Sequence, residues 1–129
     1  MEKKDLLKDV IKHIDIKSYN STELVDAMRN MSFTSRDTAR AADILMMMCK
    51  EKECTNILTL AGSTSAAGCM QVYVDMVRNK MIDVVVATGA SIIDMDLFEA
   101  LGYKHYIGEK ENVIPDTTLR DLYIDRIYD

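Results

Sequence analysis

No stretch of this 129-residue sequence is long and apolar enough to span a bilayer. Its most apolar runs, such as Met81–Ala87, fall far short of the ~20 residues a membrane helix needs. The first residues, Met1-Glu2-Lys3-Lys4-Asp5, lack the apolar centre of a signal peptide, so the expected location is the cytoplasm, with no membrane contact. Internal repeats, low-complexity tracts and Gly/Ser linkers are also missing, and the one proline, Pro115, sits in a polar stretch near the end. Positive charge is not in excess: 16 Lys and Arg stand against 21 Asp and Glu, a net −5. That balance argues against a nucleic-acid partner, which calls for clustered Lys and Arg. It is compatible with a cationic partner such as a polyamine or a basic loop. Three cysteines (Cys49, Cys54, Cys69) form no CxxC pair, so they read as reduced thiols filling small buried positions. His13 and His105 lie far from any cysteine cluster, so no metal site is expected.

What is present is a folded composition, 48% apolar and 29% charged, in a length suited to one compact domain. Leu6, Leu7, Val10, Ile11 and Ile14 recur at helical spacing and predict a helix over residues 3–14. Asn20-Ser21-Thr22-Glu23 predicts a capped helix start, with Leu24, Val25, Met28 and Met31 inward. Thr34-Ser35-Arg36-Asp37 opens a second helix, to about Cys49, with Ala41, Ile44, Leu45 and Met48 inward. Met46-Met47-Met48 reads either as core filling or as an adaptable binding surface.

The pattern changes at Asn56. Ile57-Leu58-Thr59-Leu60-Ala61, ending at Gly62, is a strand signal, and a helix from about Ala66 to Asn79 follows, with Met70, Val74 and Val77 inward. Ile82-Asp83-Val84-Val85-Val86-Ala87 reads as a strand buried on both faces. A helix over Asp94–Leu101 and an extended piece, Lys104–Ile107, come next. This order predicts an α/β fold: a parallel sheet of about three strands with flanking helices and right-handed crossovers. So small a sheet has two open edges, which points to more sheet supplied by another polypeptide or a missing segment. Residues 1–55 form an amino-terminal helical region and 56–129 the first half of the sheet domain.

Ligands of open α/β sheets bind outside the carboxyl ends of the strands. Two loops fall there. Gly62-Ser63-Thr64-Ser65-Ala66-Ala67-Gly68 offers close backbone approach, three hydroxyls, and a helix start that favours negative charge, although it matches neither GxGxxG nor the P-loop. Thr88-Gly89-Ala90-Ser91 closes the next strand and would converge on the same crevice. Asp94 and Asp96 just beyond either hold a cationic substrate or cap a helix. No Ser–His–Asp arrangement or nucleophile elbow is visible. These residues bind, and none of them plainly reacts.

Four segments in order resemble the deoxyhypusine synthase family: Asn56–Gly68 (NILTLAGSTSAAG), Met81–Ala90 (MIDVVVATGA), Leu97–Gly108 (LFEALGYKHYIG) and Leu119–Asp129 (LRDLYIDRIYD). The resemblance implies a Rossmann-like fold in a homotetramer with active sites at dimer interfaces. It implies a transferase that uses NAD to oxidise spermidine and passes the aminobutyl group, through an enzyme lysine, to a lysine of translation factor 5A. By position, Gly62, Ser63, Thr64, Ser65, Ala66, Thr88, Gly89 and Ala90 would contact the cofactor. Asp94, in a stretch one residue longer than the family's, would contact the amine.

Two departures shape the expectation. The longer loop and the version of the helix through Phe98–Tyr103 resemble the deoxyhypusine-synthase-like branch, where homospermidine-type chemistry with another amine acceptor is the alternative. The segment with the catalytic lysine is absent, so the chain reads as an amino-terminal half completed by a carboxy-terminal chain, through proteolysis or a split gene. A non-catalytic regulatory paralogue and an unrelated nucleotide-binding protein are the other readings.

Overall fold

Apolar runs rich in β-branched residues pair where small residues follow them. In the computed structural model, which describes residues 1–108 and 114–128, β1 (Ile57–Leu60) lies beside β2 (Val84–Ala87). The amide of Val84 donates to the Asn56 carbonyl at 3.2 Å, and that of Thr88 to the Leu60 carbonyl at 3.1 Å. Both bonds span the same interval of sequence, as only a parallel pair allows. The fold is therefore mixed α/β, with a two-stranded parallel sheet among the described residues. The expected third extended piece does not join it. Tyr106 instead makes an isolated antiparallel bridge with Val10.

The valines of β2 also depart from expectation. Val84, Val85 and Val86 are 41%, 40% and 56% exposed, and Ile57 on β1 is 56% exposed. The sequence has the composition of a strand covered on both faces, yet among the described residues nothing provides that cover.

By packing, the chain divides into two compact units. One comprises Ile14–Thr59 and Gln71–Val86. Here α2 (Thr22–Met28) packs on α3 (Phe33–Lys50). The Asn20 carboxamide oxygen accepts from the Thr22 amide at 3.1 Å, so Asn20 sits one position before the N-cap, Ser21. Val25, Met28, Leu45 and Met48 are half-buried, while Leu24, Met31, Ala41 and Ile44, expected inward, are exposed. Met46 and Met47 are exposed, as are Cys49 of this unit and Val77 of α4 (Met70–Arg78); Cys54 is half-buried. Only Ala39 is a fully buried apolar residue in this unit among those described. Polar ties take up the positioning. The Asn56 amide donates to Asp83 Oδ2 at 2.8 Å and its side chain to the Met81 carbonyl at 3.0 Å, which aligns the starts of the two strands. Asp75, buried on α4, accepts from Lys17 Nζ at 2.7 Å and Gln71 Nε2 at 3.1 Å. The Lys17 ammonium, with help from Gln71, holds the Asp75 carboxyl below its usual range against the opposing effect of burial.

The other unit comprises Met1–His13, Leu60–Met70 and Ala87–Asp129. The helix predicted over residues 3–14 is confined to α1 (Lys3–Leu6). Beyond it the chain is extended: the Ile11 amide donates to the His105 carbonyl at 2.9 Å and the Ile107 amide to the Asp9 carbonyl at 2.8 Å. Ile11 and His13 turn inward and Val10, Lys12 and Ile14 outward, the alternation of a strand. Pairing with the segment through Tyr106 satisfies backbone groups that a helix would have satisfied internally. The helix predicted over Ala66–Asn79 is broken as well. A π-helical turn, Ser65–Cys69, precedes α4, with Gly68 at φ +102° inside it. Further on, α5 (Gly89–Ser91), a π-helical stretch Ile92–Leu97 and α6 (Phe98–Ala100) make one helical run that starts five positions before the predicted Asp94. Pro115 caps α7 (Asp116–Asp121), which buries Leu119. Cys69, like Cys54, is half-buried, so none of the three thiols fills the enclosed position expected of it.

Candidate functional site

The ends of β1 and β2 are followed by the two loops singled out in the sequence, and these are fastened to each other. Ser91 is completely buried, and its hydroxyl donates to the Gly62 carbonyl at 2.9 Å. Gly62 has φ +71°, a conformation only glycine adopts freely, and nothing lies within 4 Å of where a Cβ would stand. Around the turn, the Ala67 amide bonds the Ser63 carbonyl at 2.9 Å and the Cys69 amide bonds the Thr64 carbonyl at 3.1 Å. That wider ring is the π-turn. It carries Ser65 fully inward, with its hydroxyl buried and unpartnered among the described residues, while Thr64 stays exposed. An orphaned buried hydroxyl costs about 1–3 kcal/mol unless something bonds it. Thr88 and Gly89 are exposed and Ala90 half-buried.

A cleft of about 420 Å³ opens beside the second loop. Asp94, His105 and Asp125 supply its polar wall, and Ala90, Phe98 and Ile127 its apolar one, with buried Met95 beneath. Of the predicted site residues, the structure therefore brings Ala90 and Asp94 to this cleft. Gly62–Ala66, Thr88 and Gly89 do not line it; they form the paired loops. Neither Asp94 nor Asp96 caps a helix, since both fall inside the helical run. The buried Asp96 Oδ1 has no partner among the described residues.

Joined to the cleft through His105 is a group that the sequence alone did not assemble. Glu99, whose side chain is 9% exposed, receives His105 Nδ1 on Oε1 and His13 Nε2 on Oε2, each at 2.7 Å. Burial disfavours the Glu99 carboxylate, but the hydrogen bonds from His105 and His13 outweigh it and hold the pKa below the usual range. His13 reaches this point only because residues 9–13 are extended. Glu99 and His105 lie six positions apart in sequence and His13 far upstream, so no local spacing signals the trio. Asp125 was likewise missed, being an ordinary surface acid by sequence. Among the described residues, no three His, Cys, Asp or Glu side chains are arranged to hold a metal ion.

The segments that build the loops and the cleft decide the relationship. Residues 23–129 match deoxyhypusine synthase as a family. The chain belongs to the deoxyhypusine synthase family. It is 61% identical over 99% of its length to a deoxyhypusine synthase-like protein of Caulobacter vibrioides, and 55% identical over 98% to one of Coxiella burnetii. A probable deoxyhypusine synthase 2 of Methanosarcina acetivorans is 38% identical over 90%. The chain spans about a third of the length of these relatives: 34%, 36% and 33%. Within this family member, the final motif contributes Asp125 and Ile127 to the cleft, and the strand motifs contribute the two loops. His13 lies outside the matched residues, whereas Glu99 and His105 lie within them. Among the described residues, no helix is long and apolar enough to cross a membrane.

Proposed function

We propose that this chain is the amino-terminal part of an NAD-dependent aminobutyl transferase, a deoxyhypusine synthase that moves the aminobutyl group of spermidine to a lysine of translation factor 5A. In this reading residues 56–129 begin a Rossmann-like domain, and Gly62, Ser63, Thr64, Ser65, Ala66, Thr88, Gly89 and Ala90 line the cofactor's side of the site. Asp94 receives the amine. The catalytic lysine and the rest of the sheet come from a carboxy-terminal chain, in a tetramer-like assembly. NAD, when bound, supplies the oxidation of the amine.

The observation that carries this reading is the pair of loops tied by Ser91 and Gly62. They hold open space at Gly62 and Gly89, where no atom would meet a Cβ, and a buried Ser65 hydroxyl in need of a partner. Those features suit a polar, closely approached ligand such as a dinucleotide. The exposed valines of β2 support completion by further chain packed on the sheet, because a Val side chain gains about 1.5–3 kcal/mol on full burial. Calorimetry with NAD on the complex of this chain and its completing chain tests the reading. Gly89→Asp fits the backbone without a clash, so it is expected to fold and yet to weaken NAD at least tenfold. Unchanged NAD affinity and activity in that variant would favour a non-catalytic regulatory subunit. A second reading, a homospermidine-type enzyme with another amine acceptor, is favoured by the higher identity to the synthase-like relatives than to the probable synthase. Product analysis with spermidine and either putrescine or translation factor 5A separates the two.

A further inference from the structure

We propose that His105 is a substrate-contacting residue of the cleft, accepting a hydrogen bond from an ammonium group of the bound amine, and that Glu99 and His13 are the residues that position it. This rests on the reading of the cleft as an amine site. The proton arrangement follows from hydrogen-bond chemistry. An ionised carboxylate only accepts, so both ring nitrogens that touch Glu99 must carry hydrogen. In neutral rings, the other nitrogen of each then presents a bare lone pair. For His13 that atom is Nδ1, which is buried and unpartnered among the described residues. The Glu99 bond therefore uses the one His13 nitrogen that has a partner, and fixes that ring as a support.

For His105 the remaining atom is Nε2, on the ring edge opposite Glu99, in a residue that lines the cleft. Glu99 holds the ring, and the residue's backbone is held as well, because the His105 carbonyl receives the Ile11 amide at 2.9 Å. The titratable groups around it are Glu99, which it bonds, His13 on the same carboxylate, and Asp94 and Asp125 among the cleft's lining; no Lys or Arg lines the cleft among the described residues. Phe98, Ile127 and Ala90 complete a wall suited to methylene groups. A chain of methylenes between ammonium groups matches both surfaces, and the Nε2 lone pair among carboxylates gives one of those ammonium groups a directional partner.

The test uses the full chain labelled with 15N-histidine, alone and with its unlabelled completing chain, and spermidine as the probe. The sequence has only two histidines, so His13→Gln and His105→Gln assign every imidazole signal. The expected spectrum has His105 as the Nδ1–H tautomer, and spermidine shifts its Nε2 signal far more than either signal of His13. His105→Phe weakens spermidine about tenfold to hundredfold. His105→Gln keeps a side-chain acceptor and recovers part of that loss. Glu99→Gln leaves His105 free to change tautomer and weakens spermidine without abolishing it. Spermidine binding with unmoved His105 signals, or with unchanged affinity in His105→Phe, overturns the proposal and leaves the amine reading intact. No spermidine binding by the wild type overturns both. The wild-type spectrum requires no substitution, so a variant that fails to fold does not decide the matter.

Discussion

Replacing Gly68 by alanine should cost this protein more than replacing Gly102, although the two glycines have nearly the same backbone conformation. Gly68 has φ +102° and Gly102 has φ +97°. Alanine in that region pays about 1–2 kcal/mol at either position. The surroundings differ. A Cβ at Gly102 meets nothing within 4 Å, whereas at Gly68 it meets the Lys12 carbonyl oxygen at 3.1 Å and Ile11 Cγ2 at 3.9 Å. Forcing the methyl in displaces the extended amino-terminal segment, at about 1–3 kcal/mol for overpacking. Burying the methyl returns at most about 0.8 kcal/mol. The excess for Gly68→Ala over Gly102→Ala should therefore be about 1 kcal/mol, read as a difference in urea midpoints. Hydrogen exchange supplies the local readout. The amides of Ile11 and Ile107, which bond the His105 and Asp9 carbonyls, should lose protection in Gly68→Ala and keep it in Gly102→Ala. Removing residues 1–12 should erase the excess, since it removes the carbonyl that the methyl strikes. Equal costs in the intact chain, or an excess that survives the truncation, would refute the reasoning.

Lys17→Met should lower the urea midpoint at neutral pH and converge with the wild type in acid. The Asp75 carboxyl is lowered chiefly by its hydrogen bond with Lys17, so its contribution is present above the unfolded carboxylate pKa and is lost as pH falls through the folded value. The Lys17 ammonium is raised chiefly by the same bond, so its contribution holds below the unfolded lysine pKa and fades as pH rises through the folded one. An unchanged gap between the two proteins on acidification would count against the pair. Val86→Lys, at a position 56% exposed, should change the chain's own stability by less than about 0.5 kcal/mol. It should nevertheless abolish copurification with a carboxy-terminal chain; retained copurification would show that this face of the sheet is not the one covered.

The sequence by itself determined the two strand–loop units and the family. β-branched runs at Ile57–Leu60 and Val84–Ala87 end in small residues, and both the runs and the loops are local features that a short window reveals. The α3 helix was equally legible, because its start and its apolar spacing are local. Burial was not: Val84, Val85 and Val86 carry the pattern of a covered strand, but exposure depends on which chains are there to cover it. The amino-terminal segment shows the same limit. Leu6, Leu7, Val10, Ile11 and Ile14 fit a helix, yet Ile11 bonds the backbone of His105, a partner more than 90 positions away. That pairing brings His13 to Glu99. Only tertiary structure decided the imidazole–carboxylate–imidazole group, because hydrogen-bonding partners so far apart in sequence leave no spacing to read, and an extended segment chooses its face by the strand it finds.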